Sequence, residues 1–267
     1  MDYFKFIKPA FRYFIHQIKA GHKAGHGIHS PFIFDFLTKV VFISEQKDKY
    51  KSIDNYKKDL ISGKGWIEIT DFGAGSVISR NRLRKVKNIA KYSSTKPKYG
   101  KLLARMISYF KPSVILEIGT SVGIGTAYLS KNMHDSCVLY TLEGDPKLFQ
   151  LASEYFIKSK ILNIRPISGN FDETLPELVS QIEKMDFVYF DGNHRKDATI
   201  RYFETCLEKQ TNESVFIFDD IHWSDEMEQA WDYICCHPKS KVCIDLFQIG
   251  IVFFRKELSC EKYLVRF

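Results

Sequence analysis

The sequence predicts an α/β fold: a seven-stranded, mostly parallel sheet with an antiparallel last strand, helices on both faces, and a mostly helical cap ahead of it. Three observations carry that prediction. From about residue 102 onward, short β-rich apolar runs alternate with helical patterns, which is the signature of βαβ units. The first run, Val114 to Ile118, opens straight into a glycine-rich turn, GTSVGIG, before the next helical pattern. The last two runs are joined only by Gln248 and Ile249, too short for a parallel crossover, so the seventh strand must turn back on the sixth.

The cap, residues 1–100, reads as an aromatic amphipathic helix near 3–20, a loop GHKAGHGIHSP, a helix near 31–42, a polar helical stretch near 45–62 and a basic helix near 78–91. ITDFGAGS at 69–76 imitates a second glycine turn. We read it as a decoy, because a strongly basic helix and no β run follow it. The second domain, residues 101–267, carries strands at 114–118, 137–142, 163–168, 186–190, 214–218, 241–247 and 250–254. Between the first six lie helices near 123–132, 146–159, 173–184, 196–208 and 224–236.

Composition bounds the class. The 267 residues are 45% hydrophobic and 27% charged, enough for a full core. No apolar run approaches the ~18 residues of a membrane span, and the N-terminus lacks a signal-peptide pattern, so the expected location is cytoplasmic. The six cysteines show no CxxC pair and read as reduced packing residues. Charge is uneven: residues 1–100 hold 20 Lys+Arg against 8 Asp+Glu, the remainder 19 against 24. The basic segment 80–101 is expected to be a solvated face, with nucleic acid, acidic substrate or membrane attraction as the alternatives.

In an open α/β sheet, ligands bind beyond the carboxyl ends of the strands, and nearly every run ends there in a polar residue. Glu117, Gly119, Gly123 and Gly125 read ExGxxxGxG, which differs from the GxGxxG spacing of dinucleotide turns. Glu143 follows the second run, where a carboxylate can accept from both ribose hydroxyls or stabilise the helix starting at Pro146. Asp191 follows the fourth run, and Asp219 and Asp220 the fifth. Three carboxylates converging on one crevice would repel each other, which a divalent cation relieves; all-oxygen donors favour Mg²⁺ or Mn²⁺, or Ca²⁺, over zinc. Capping of the following helices is the simpler alternative for any one of them.

The stretch VILEIGTSVGIG resembles motif I of the S-adenosylmethionine-dependent methyltransferases of the Rossmann-like class. The resemblance implies that Glu117 lies near the cofactor ammonium, Thr120 and Ser121 near its carboxylate, and Gly169, Asn170 and Phe171 beside the adenine, with Asn170 also plausible as a helix N-cap. DFVYFDGNHR and VFIFDDIHW extend it to the metal-dependent small-molecule O-methyltransferases of catechol, caffeoyl-CoA and macrolide-sugar type. In those, an Asp like Asp191 and a pair like Asp219 and Asp220 hold the metal, and Asp191 borders cofactor and chemistry alike. The position three residues after that Asp, here His194, holds the base that removes the acceptor hydroxyl proton, and His222 competes with it.

The resulting expectation is metal-assisted O-methylation of a small hydroxylated acceptor. Its alternatives are an RNA or protein methyltransferase docking through residues 80–101, and a non-catalytic module for a membrane surface or partner. Nucleic acid is disfavoured, since no asparagine-proline tetrapeptide of amino-group methyltransferases is present. Peripheral membrane contact and a homodimer stay open. His22, His26 and His29 are candidates to line the acceptor pocket or bind metal, and Tyr99 and Lys101 to meet the cofactor carboxylate or substrate.

Overall fold

The computed structural model describes residues 4–21, 27–43, 47–69 and 83–267, with side chains from residue 10 in the first span and 49 in the third. His22, His26 and residues 70–76 of the decoy turn lie outside the described residues. The chain begins with α1 (Phe4–Lys19), α2 (Pro31–Phe36) continued by a wide turn at Leu37–Val41, a 3-10 turn at Lys47–Tyr50, and α3 (Lys51–Ser62). β1 (Trp66–Glu68), β2 (Leu83–Lys85), α4 (Val86–Tyr92) and α5 (Pro97–Phe110) follow. Then strands and helices alternate: β3 (Val114–Ile118), α6 (Ile124–Ser130), β4 (Val138–Glu143), α7 (Pro146–Lys158), β5 (Ile164–Ser168), α8 (Phe171–Gln181), β6 (Met185–Phe190), α9 (Lys196–Leu207), β7 (Gln210–Asp219), α10 (Asp225–Cys236), β8 (Val242–Asp245), β9 (Ile249–Phe253) and β10 (Glu261–Leu264).

Among the described residues the mostly parallel sheet is present, with eight strands rather than seven. The additional strand, β10, pairs parallel to β8 through Glu261–Leu264. Only Tyr263 in it is buried, so its pattern carries no apolar run to read. The return predicted at Gln248 is found: β9 is antiparallel to both β8 and β7. β1 and β2, unanticipated, form a separate antiparallel pair.

Local chemistry sets the helix starts. Ser30 caps α2 by accepting from the Ile33 N–H at 3.4 Å, with Pro31 in the first turn. Asp145 caps α7, accepting from the Lys147 and Leu148 N–H groups at 2.9 and 2.8 Å. Ser224 caps α10 through the Met227 N–H at 3.1 Å. α5, unanticipated from the sequence, starts basic and buries Leu102, Leu103, Met106 and Ile107 along its middle.

Two compact units cross the boundary expected at residue 100: one holds 44–183 with 191–193, the other 1–43, 184–190 and 194–267. In the first, β3, β4 and β5 pair in parallel, Glu117 lying beside Thr141 and Glu143 beside Ser168. Residues 50–90 do not stand apart there. Tyr50, Ile53, Leu60, Ile67 and Ile89 share one core with Val122, Ile124, Ala127 and Tyr128, around the glycine turn and α6. In the second unit the order is β10-β8-β9-β7-β6, with β6 and β7 parallel. Phe216 and Phe218 of β7 are buried beneath α9 and α10 residues such as Phe203 and Trp231.

Candidate functional site

The site builds up from the β3–α6 turn in the first unit. Gly119 stands at φ 107° and Gly123 at φ 79°, backbone shapes that a Cβ opposes. Space closes the argument at Gly119: a Cβ would lie 2.3 Å from the Asp191 carbonyl oxygen. The Asp191 N–H donates to Ile118 O at 2.9 Å, and Gly192 leaves room for the Phe171 ring, 2.7 Å from where a Cβ would sit. Gly119, Asp191 and Phe171, expected at the cofactor from distant stretches, are thus brought together, Asp191 through its backbone and Phe171 through its ring.

Two buried carboxylates flank the turn. Glu143 Oε2 accepts from the Ser121 N–H at 2.6 Å and Oε1 from the Asp145 N–H at 2.9 Å. Burial pushes its pKa up to about 7 against those hydrogen bonds. Glu117, fully buried, lies beneath the turn: its Oε2 accepts from Thr126 Oγ1 at 2.5 Å and Thr141 Oγ1 at 2.7 Å. Its Oε1 is buried with no hydrogen-bond partner. Burial raises this carboxyl to about 8, outweighing both hydroxyls. Gly125 is required at this point, because a Cβ there would come within 2.6 Å of Glu117 Oε1 and 2.9 Å of Thr95 Oγ1.

The remaining turn residues are fixed by the sheet. The Thr120 N–H and Oγ1 both donate to Leu142 O, at 3.0 and 3.1 Å, and Oγ1 also meets Thr141 Oγ1 at 2.5 Å. Ser121 adopts φ 51°, which aims its N–H at Glu143. Gly169, at φ 144°, donates its N–H to Glu143 O at 2.9 Å. Asn170 is the N-cap of α8, its side chain accepting from the Asp172 N–H at 3.1 Å. The cap alternative read from sequence therefore describes its contact. From α3, Tyr56 donates its hydroxyl to Val122 O at 2.8 Å and stacks on Tyr155 of α7 at 3.5 Å. That tie between the turn and residues 47–69 had no sequence signal, since 66 residues separate the partners.

In the other unit, Gln248 donates its amide to Asp219 Oδ1 at 3.3 Å and also to Asp220 Oδ1. Among the described residues no group of three or more His, Cys, Asp or Glu side chains is gathered closely enough to hold a metal ion. His194 lies half-buried in the loop between β6 and α9. His222 has both ring nitrogens engaged: Nδ1 with Glu228 Oε1 at 2.9 Å and Nε2 with Asp245 Oδ2 at 2.8 Å. Burial disfavours its charge, but Asp245 and Glu228 together outweigh that and hold its pKa above the usual value. With both ring nitrogens engaged by carboxylates, His222 offers no open nitrogen to a substrate proton. His29 is exposed.

Sequence reasoning missed the rest of that cluster. His16 Nε2 meets Asp245 Oδ1 at 3.1 Å, Arg12 bridges Asp225 and Glu228, and Phe247 stacks on His222 at 5.2 Å. Burial opposes ionisation of Asp245, yet His16 and His222 hold its carboxyl well below the usual range. Partners 229 residues apart leave no local pattern to detect.

Residues 116–221 match the model of a methyltransferase-domain family. A Mycobacterium sp. (strain JLS) protein named "Putative O-methyltransferase" is 30% identical over 99 residues, 36% of this chain and 44% of that protein. The chain thus spans less than half the length of that curated relative. A catechol O-methyltransferase from Niastella koreensis is 22% identical over 174 residues, covering 64% of this chain and 73% of its own. Among solved structures, the O-methyltransferase from Bacillus cereus in complex with SAH superposes with a TM-score of 0.55 at 15% identity, over 83% of this chain and 97% of the other. That likeness establishes the fold.

Proposed function

We infer that this chain is an S-adenosylmethionine-dependent O-methyltransferase acting on a small hydroxylated acceptor. One observation carries the reading: two buried carboxylates, Glu117 and Glu143, flank the glycine turn with pKa values raised to about 8 and 7. A pyrophosphate at such a turn would face the Glu117 acid, whereas a ligand bearing an ammonium would stabilise Glu117 as a carboxylate; Glu143 suits the ribose hydroxyls of either. The unpartnered Glu117 Oε1 and the turn held open by Gly119, Gly123 and Gly125 fit that group.

When bound, the cofactor supplies an electrophilic methyl group on a sulfonium, so the reaction needs little further activation. The protein's own work is alignment and exclusion of water. Thr120 and Ser121 are assigned to the amino-acid end, Glu143 to the ribose hydroxyls, and Gly169, Asn170 and Phe171 to the base. Asp191, whose backbone borders Gly119, is assigned to the reacting end. His194 is proposed to take the hydroxyl proton as the new O–C bond forms and the C–S bond breaks, a role that both carboxylates deny His222.

A divalent cation at Asp191, Asp219 and Asp220 is the finer expectation. Gln248 donates to both Asp219 and Asp220, contacts that a cation at this pair would have to displace. Calorimetric titration with S-adenosylmethionine and with NAD, followed by mass spectrometry of a catechol incubation, tests the reading. Saturable binding of the sulfonium nucleotide alone and a product heavier by one methylene support it, and tighter binding of NAD overturns it. A rate lost to EDTA and restored by Mg²⁺ supports the cation, and a rate unchanged by EDTA removes it.

A further inference from the structure

We propose that α1 is a docking surface for an anionic lipid bilayer, a role separate from the glycine-turn site. Among its described side chains, from residue 10 onward, one face holds the helix to its own unit. Arg12 bridges Asp225 and Glu228 of α10, His16 reaches Asp245 at the end of β8, and the Tyr13 ring meets Phe247 edge-on at 5.0 Å. His16 and Ala20 are buried. The other side carries Phe11, Phe14 and Ile18, which are 61%, 61% and 67% exposed.

Their spacing of three and four residues sets them on an arc of about 60° along the helix. Such large apolar side chains gathered on one exposed face mark an interaction surface, unlike scattered exposed leucines. In the sequence the same spacing runs back through Ile7 and Phe4.

Charge selects the occupant. In the sequence Phe4–Lys19 contains Lys5, Lys8 and Lys19, besides the Arg12 already paired with Asp225 and Glu228, and no acidic residue. Arg266, from the strand end beside it, donates to Gln17 O and adds a further cation next to the helix. A second copy pairing through this face would set like charges together with no carboxylate on either helix to answer them. A bilayer of anionic lipid answers both features: apolar side chains enter the headgroup boundary while flanking cations meet lipid phosphates. Among the described residues no helix is long and apolar enough to cross the membrane, so contact lies in the interface plane.

Co-sedimentation of the full chain with phosphatidylcholine vesicles, alone or mixed with phosphatidylglycerol, reads this directly. The chain is expected to pellet with the mixed vesicles at low salt and to be released at high salt. Replacing Phe11, Phe14 and Ile18 together by Ser should lower partitioning by roughly tenfold or more. Lys19→Glu should lower it by about tenfold while leaving the apolar side chains intact. Melting curves establish that both variants remain folded. Three results overturn the proposal: no pelleting with anionic vesicles at low salt, equal partitioning of the triple variant, or light scattering that shows a dimer dissolved by the triple substitution.

Discussion

Replacing Glu117 by Gln removes a titrating proton from the centre of the first unit while keeping nearly the same shape. The wild-type carboxyl has its pKa raised from 4.5 to about 8 by complete burial. An acid with a raised pKa binds more protons folded than unfolded, so its contribution is fully present below about pH 4.5 and is lost as pH climbs toward 8. Within that window the slope approaches ~1.4 kcal/mol per pH unit. From pH 5.5 to 7.5 this comes to about 2–3 kcal/mol, or on the order of 5–10 °C in melting temperature for a chain of this size. Glu143, raised to about 7, adds a parallel loss, which is why the variant and not the absolute curve is diagnostic. Melting curves of ligand-free wild type and Glu117→Gln across that range should diverge, the wild type falling more steeply. Parallel curves would mean that Glu117 titrates normally and that the turn is not the acid-lined cradle described above.

Glu143→Ala deprives the Ser121 and Asp145 N–H groups of their acceptor and the proposed ribose of its partner. S-adenosylmethionine affinity, read by calorimetry, should fall by about 10- to 100-fold. Gly119→Ala must move the Asp191 carbonyl from 2.3 Å and hold Ala at φ 107°, so a loss of roughly 2–4 kcal/mol is expected in denaturant melts. Gly21→Ala, with nothing within 4 Å of its Cβ, should leave the same melts unchanged. His222→Leu removes the ring that joins Asp245 and Glu228, and a cost of about 3 kcal/mol is expected in the same assay. His194→Gln should lower kcat at least a hundredfold with little change in S-adenosylmethionine affinity; an unaltered kcat moves the base elsewhere.

The sheet was legible because it is written in local pattern. VILEI, NIRPIS and DFVYF each appear within a residue or so of β3, β5 and β6, and the two-residue link at Gln248 dictated the antiparallel return. The glycine turn was legible for the same reason, since φ above zero selects glycine at Gly119 and Gly123 whatever lies around them. Strand β10, the β1–β2 pair and the true extent of residues 47–104 were not, because each owes its shape to partners far along the chain.

Residue types and spacing by themselves determined where the acids and glycines stand along the chain, since secondary structure follows from short-range sterics and periodic burial. Only the tertiary structure decided what those acids do. It buried Glu117 against Thr126 and Thr141 with one oxygen unanswered, tied Glu143 to the Ser121 N–H, turned Asn170 into a helix cap, and gave Asp219 and Asp220 to Gln248. It also clamped His222 between two carboxylates and pinned α1 through Arg12 and His16, leaving Phe11, Phe14 and Ile18 outward. Desolvation and pairing depend on what surrounds a group in space, and chain order does not encode that distance.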